Sequence, residues 1–256
     1  MTWVLDCDGV IWLTDDPIPG AAGAVAELRE RGERVVFVTN NSYPVRAVHL
    51  AKLEKMGMAS SGDDLITSAS AAASLVEEGE RALVVGGPGI LEALSERGVE
   101  AVEAGTRTDD GGFDVVIVGF DPKFDFARLS AATVALRAGA RLVATNDDPT
   151  FPTSSGLMPG GGSFTAAVAC AGGVEPTVAG KPFPALVELL RRRVGDIDIV
   201  VGDRPSTDGG LAVRLGAGFG LVLTGVTPAD HGPLEPTPAF EAPDLATLVP
   251  QVLRGA

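Results

Sequence analysis

The chain has 256 residues, with 34 acidic against 20 basic side chains and a formal net charge of −14. It is 45% hydrophobic, enough for one large domain or two coupled ones, and the acidic surplus argues against nucleic acid or an anionic membrane as a partner, since both need a basic face. Cys7 and Cys170 are the only cysteines, so neither a disulfide framework nor a Cys/His zinc cluster is expected; nor is there a charged-then-apolar leader or an apolar run of the ~18 residues that a membrane span needs, and the chain reads as cytoplasmic.

Short apolar runs alternate with amphipathic segments. Trp3–Cys7 reads as a buried strand, Ala21–Arg31 as a helix stopped by Gly32, and Arg34–Val38 as a second strand. Pro44–Met56 reads as a helix opened by its proline, with Val45, Val48 and Leu53 on roughly one face. Leu65–Thr67 and a small-residue helix from Ala69 follow. The rhythm then repeats: strands over Ala82–Val85, Asp114–Val118 and Arg141–Thr145 alternate with helices over Gly89–Arg97 and Phe126–Arg137, and later strands fall at Asp198–Val201 and Phe219–Leu223. Strands alternating with helices predict parallel βαβ units. Two stretches break the rhythm. Ala101–Gly112 is polar and Gly-rich and reads as an exposed loop. Asn146–Gly162 carries too much Pro and Gly for regular structure and reads as a long loop of the kind that often contacts substrate. The five prolines between Thr227 and Pro243 suggest an extended surface wrap.

The chemistry gathers at strand ends. Asp6 and Asp8 close the first strand, and a turn at Gly9 lets both face one pocket, although such a pair alone also suits a solvated turn. The second strand runs into Thr39-Asn40-Asn41-Ser42, where the Thr39 hydroxyl and the following main-chain N–H groups can hold phosphate oxygens or simply cap a helix. Lys181, in Gly180-Lys181-Pro182, stands before a helix that Pro182 can open, placed to bind phosphate and pair with a carboxylate. A late strand ends in Asp203, with Asp208 five residues on. Four acids against one lysine on one sheet edge repel unless a cation intervenes, and an all-oxygen site that also meets a phosphate suits Mg²⁺.

The ordered set DxDGV, TNNS, GKP and GDRxxTD resembles the four motifs of the haloacid dehalogenase superfamily of phosphohydrolases. Gly119-Phe120-Asp121, Ala144-Thr145-Asn146 and Pro159-Gly160-Gly161-Gly162-Ser163 are similar to its NagD-like branch, which includes p-nitrophenyl, phosphoglycolate and pyridoxal phosphatases. The resemblance spans nearly the whole chain. It implies an α/β fold: a Rossmann-like parallel-sheet core, at about 1–79 and 180–256, with a large α/β cap inserted at about 80–179. It also implies roles. Asp6 attacks phosphorus to give an aspartyl-phosphate, and Asp8 protonates the leaving oxygen and later activates water. Thr39, Asn40, Asn41 and Lys181 hold the phosphoryl oxygens. Asp6, the Asp8 carbonyl and Asp203 bind Mg²⁺, and Asp208 supports them. The expected substrate is a small phosphorylated metabolite, and the resemblance is compatible with a homodimer.

The cap loop Asp147–Thr153, stiffened by its prolines, is expected to set substrate choice, with Asp147 and above all Phe151 as contacts. A polar residue stands at the Phe151 position in the pyridoxal phosphatases, which argues against pyridoxal phosphate as a dedicated substrate. Two readings compete with a phosphatase. A phospho-accepting signalling module uses similar groups but must keep its aspartyl-phosphate, which an acid/base at Asp8 would discharge. A catalytically silent Mg²⁺-binding protein has no need of all four motifs. A dehalogenase, in turn, does not need Asp8 and Asp203. Gly209-Gly210, directly after Asp208, is expected to weaken the local helix.

Overall fold

The structure, a computed structural model, describes residues 1–105, 112–153 and 156–255. In chain order it begins with β1 (Thr2–Asp6), a short hairpin of β2 (Trp12–Leu13) and β3 (Asp16–Pro17), α1 (Ala21–Glu30), β4 (Arg34–Thr39), α2 (Arg46–Lys55), β5 (Leu65–Thr67) and α3 (Ser68–Ala73). The middle of the chain forms β6 (Arg81–Val85), α4 (Pro88–Ser95), β7 (Glu100–Glu103), β8 (Val115–Val118), α5 (Phe126–Arg137), β9 (Arg141–Ala144), β10 (Thr150–Thr153), β11 (Gly156–Pro159), α6 (Gly161–Gly172) and β12 (Thr177–Val178). It ends with α7 (Pro184–Arg193), β13 (Ile199–Gly202), α8 (Gly210–Leu215), β14 (Gly218–Val222), β15 (Phe240–Ala242) and α9 (Leu245–Gly255). Among the described residues, no helix is long and apolar enough to cross a membrane.

Two parallel sheets carry the fold, and helices cover both faces of each. The six-stranded sheet has the order β15-β14-β13-β1-β4-β5, and the five-stranded sheet the order β12-β9-β8-β6-β7. Strands buried on both faces need continuous apolar runs, and β1, β4, β8 and β13 supply them. Alternation along β1 sorts its side chains: Trp3 and Leu5 join a cluster with α1 and α9, while Val4 joins one with α3, α7 and α8 that continues into β6 and α4 of the second sheet.

β1 is where the strand order of the larger sheet reverses. The chain steps from β1 through β4 to β5 on one side, and returns on the other through β13, β14 and β15. In a parallel sheet the crevice at such a reversal, beyond the carboxyl ends of the strands, is where ligands bind.

Several local expectations are corrected. Thr150–Thr153 and Gly156–Pro159 form an antiparallel hairpin, and α6 starts at Gly161, so much of Asn146–Gly162 is regular. A two-stranded ribbon has only edges, where proline is tolerated. Glu100–Glu103, partly within the expected Ala101–Gly112 loop, is an edge strand paired to β6; residues 106–111 of that loop lie outside the described residues. In α2, which starts at Arg46 rather than Pro44, Val48 is 53% exposed and His49 lies with Leu53 on the buried face, as i, i+4 spacing requires. The helix after Lys181 opens at Pro184, not Pro182. Gly209 and Gly210 do not abolish a helix: residues 205–209 make one π-type turn and α8 continues from Gly210. A Cβ at Gly209 would lie 2.7 Å from Pro236 and one at Gly210 3.0 Å from Pro182, so these glycines let two proline-bearing loops pack against the turn.

Leu5 sits at the sheet centre, fully buried and in register with Phe37 and Val201. Leu5→Ala is expected to lower stability by ~2–5 kcal/mol in a denaturant titration, as buried Leu truncations do. A loss below about 1 kcal/mol would mean that this part of the core can close over the cavity.

Candidate active site

Asp6 is the last residue of β1, and Asp8 follows across the turn that Gly9 makes with φ 87°. One oxygen of Asp6, Oδ1, accepts the Cys7 N–H at 2.7 Å and is paired with Lys181 Nζ at 2.7 Å. The same ammonium donates to Asp208 Oδ1, also at 2.7 Å. Asp208 is completely buried, and its Oδ2 accepts the Arg204 N–H at 3.1 Å. Asp203 leaves the end of β13, next to β1, and its Oδ2 accepts the Val226 N–H at 2.5 Å. Asp6, Asp203 and Asp208 each present an oxygen within 4.8 Å of the others.

One buried lysine does not neutralise this group. Burial raises the Asp6 carboxyl well above its ordinary range; Lys181 opposes the rise, while Asp208, Asp203 and Asp8 reinforce it. Burial, then Asp208, pushes Asp203 up to about 6. For Lys181 burial disfavours the charge, but Asp208 and Asp6 outweigh it and raise its pKa. The residues fit a Mg²⁺ ion. The donors are all carboxylate oxygens, the choice of a hard cation. The main chain also closes tightly around Asp203: a Cβ on Gly9 would lie 2.6 Å from its carboxylate, and a Cβ on Gly225 would collide with Oδ2.

Asp8 is held differently. Its Oδ1 accepts Trp12 Nε1–H at 2.9 Å, and its Oδ2 accepts the Thr39 hydroxyl at 3.3 Å. Thr39, fully buried at the end of β4, in turn accepts the Asn41 N–H at 3.0 Å. The Asn40 side chain is committed to protein contacts: Oδ1 accepts the Lys181 N–H at 2.9 Å, and Nδ2 donates to Asp148 Oδ2 at 2.9 Å. The carboxyl ends of β1, β4 and β13 thus bring Asp6, Asp8, Thr39, Asn40, Asn41 and Asp203 together, with Lys181 and Asp208 beneath.

The five-stranded unit closes the other side of a cavity of about 200 Å³. Phe120, just beyond β8, and Phe151, on β10, form an aromatic wall, their rings 5.4 Å apart and edge to face. Phe151 remains 36% exposed. Asp147, expected as a substrate contact, is exposed and outside the cavity lining; Asp148 lines it instead. Arg204, Asp148, Asn146 and Phe120 also line the cavity; the sequence reading quoted them within motifs or the cap loop but gave none of them a site role. Arg204, Asn146 and Phe120 lay inside motifs that sequence does display, so a lone cation beside Asp203 and a polar residue ending a buried strand were available signals.

A family model described as haloacid dehalogenase-like hydrolase matches residues 3–100, and one described as HAD-hydrolase-like matches residues 178–248. A D-glycerol 3-phosphate phosphatase of Mycobacterium tuberculosis is 37% identical over 253 residues, covering 96% of this chain and 70% of the relative. An acid sugar phosphatase of Staphylococcus saprophyticus is 32% identical over 232 residues, covering 88% and 87%. The structure of a glycerol phosphate phosphatase from Mycobacterium tuberculosis in complex with magnesium superposes with a TM-score of 0.85 at 36% identity, covering 95% of this chain and 74% of that one. With the site at the strand reversal, these likenesses make the chain a member of the haloacid dehalogenase-like hydrolases, on their phosphatase branch.

Proposed function

We propose that the chain hydrolyses a compact phosphomonoester with an uncharged leaving alcohol, with Asp6 as nucleophile, Asp8 as general acid and base, and Mg²⁺ as cofactor. The observation that carries this reading is the fixing of Asp6 Oδ1 by Lys181 and the Cys7 N–H, beside the glycine-lined Asp203. A nucleophile so held loses little freedom on attack. Mg²⁺, when bound, supplies the positive charge that keeps Asp6 and Asp203 ionised and offsets the charge of the phosphate.

Asp6 attacks phosphorus while the bond to the ester oxygen breaks, and Asp8 gives a proton to that oxygen. Water then attacks the aspartyl-phosphate, Asp8 takes up its proton, and inorganic phosphate leaves with the Asp6 carboxylate restored. Trp12 and Thr39 hold the Asp8 carboxyl for both proton transfers. In this scheme the Lys181 ammonium and the Asn40 N–H bind the phosphoryl oxygens, and the Asn41 N–H, held by the Thr39 hydroxyl, joins them by exchanging that partner for phosphate. Because the Asn40 amide is spent on Lys181 and Asp148, its part falls to the main chain. Residues 80–179 act as the cap on a core of 1–79 and 180–256.

The leaving group is read from the cavity. Its volume of about 200 Å³ lies below the roughly 300–1,000 Å³ of pockets for drug-sized ligands. Among the described residues lining it, both cations are paired: Lys181 with Asp6 and Asp208, and Arg204 with Asp148. A carboxylate or second phosphate on the substrate therefore finds no spare cation there, whereas the body of a polyol or a small aryl alcohol can rest on Phe120 and Phe151. Glycerol, the leaving group in the mycobacterial relative's name, fits that description.

Three measurements test this. Asp6→Asn is expected to retain less than a few per cent of the wild-type phosphate release while keeping its circular-dichroism spectrum; substantial residual turnover would refute the covalent role. Chelation should abolish activity and Mg²⁺ restore it, and Gly225→Ala, which crowds Asp203, should raise the Mg²⁺ concentration for half activity about tenfold or more. Wild-type activity in metal-free buffer would overturn the charge argument. Phe151→Ala should change kcat/KM unevenly across phosphomonoesters with little shift in Tm; an even loss with a large Tm drop would make Phe151 a packing residue.

A further inference from the structure

Asp148 sits in the loop between β9 and β10, and both of its carboxylate oxygens are taken by residues of the six-stranded unit. Oδ1 pairs with Arg204 Nη1 at 2.7 Å, and Oδ2 accepts Asn40 Nδ2–H at 2.9 Å. Arg204 also reaches the Thr150 carbonyl with Nη2, at 3.5 Å. The loop is braced from behind: the Asp148 N–H donates to Asn146 Oδ1 at 3.2 Å, the Asp148 carbonyl accepts the Gly162 N–H at 2.9 Å, and Asn146 Nδ2 donates to the Asn40 carbonyl at 2.8 Å.

The two core partners are not arbitrary. Asn40 is the residue whose amide grips the main chain of Lys181, and Arg204 follows Asp203 directly and hands its N–H to Asp208. One cap carboxylate therefore grips the phosphate-binding turn and the metal-binding turn at once. Its ion pair is sheltered, with side chains 18% and 19% exposed, so the charges are less screened than at an open surface.

We infer that Asp148, Arg204 and Asn40 form a cap-to-core tie that selects substrates by size: it stays closed over a compact leaving group, and a bulky one must break it. The inference rests on the phosphatase reading for its kinetic consequence, and on the hydrogen-bond geometry alone for the tie. Asp148 and Arg204 are positioning residues in this scheme. With the tie closed over a compact substrate the Asn40 and Asp203 turns stay in place, and that gain is lost when the cap is held apart.

The test compares wild type, Asp148→Asn, Arg204→Met and the double variant, each with Mg²⁺, on glycerol 3-phosphate and on a bulky nucleoside monophosphate. The ratio of kcat/KM for the compact over the bulky substrate should fall about tenfold in each single variant, a typical coupling between two sites. The double variant should fall no further than either single one, because both remove the same tie. A ratio unchanged within about twofold, or losses that simply multiply, would overturn the inference. Hydrogen exchange in the absence of substrate separates this from the parent reading: the amides of Asn146, Asp147, Asp148 and Thr150 should exchange faster in Asp148→Asn than in wild type. Equal exchange would overturn the tie even if the enzyme is an active phosphatase. Faster exchange in a protein inactive on every phosphomonoester would sustain the tie and remove the phosphatase reading instead.

Discussion

A single ammonium, Lys181 Nζ, holds this site together. It lies 2.7 Å from both Asp6 and Asp208, and all three groups are buried. Charges taken out of water are expensive unless each finds a partner at close range. Removing the lysine would leave Asp6, Asp208 and nearby Asp203 as three carboxylates at the dry end of a sheet, where they would take up protons or drive the strand ends apart. The lysine still falls short of neutrality, and that shortfall attracts a dication. The site is thus built to be incomplete by about the charge of its cofactor, which joins metal affinity and the ionisation of Asp6 in one electrostatic balance.

Topology makes this balance possible. Strands β1 and β13 are neighbours at the reversal of strand order, so acids at their carboxyl ends meet without distortion of either strand. The turn after β4 contributes Thr39 and Asn40 from the other side of β1. The second sheet faces this edge with residues just beyond its own strands, Phe120 after β8 and Asp148 after β9. Each sheet uses the same geometric rule, and the cavity lies between the two sets of loops.

How much of this could be read from sequence follows from how local each signal is. The ends of β1, β4 and β13 were legible because a buried parallel strand is an unbroken apolar run and a polar side chain stops it abruptly; Asp6, Asp203 and Thr39 all stand at such breaks. The hairpin of β10 and β11 was not, because Pro149, Pro152 and Pro159 mask the alternation that marks a strand, and Leu157 and Met158 stay exposed rather than forming a buried face. Edge strand β7 was hidden for a related reason: Glu100 and Glu103 flank only two apolar residues, as an edge with one open side permits. The partnership of Asp148 with Arg204 joins positions 56 residues apart and has no local signature at all. Substituting Asp148 for Asp147 as the cavity-lining acid is a one-residue difference in a loop, where no periodicity fixes which side chain turns inward.

The pairing of β1 with β13 joins the first residues of the chain to those near position 200. β1 pairs with β4 across a short intervening stretch, but its other edge needs β13, on the far side of the five-stranded unit. The intervening five-stranded unit closes on neighbours within its own span and has no such wait. Long-range parallel pairing is slow because loop closure precedes any gain from the contact. The contacts of Asp6 with Lys181 and Asp208 are likewise long-range in sequence and share that closure cost. Until β13 pairs with it, that side of β1 is an unpaired strand edge, the kind of surface on which incompletely folded chains associate.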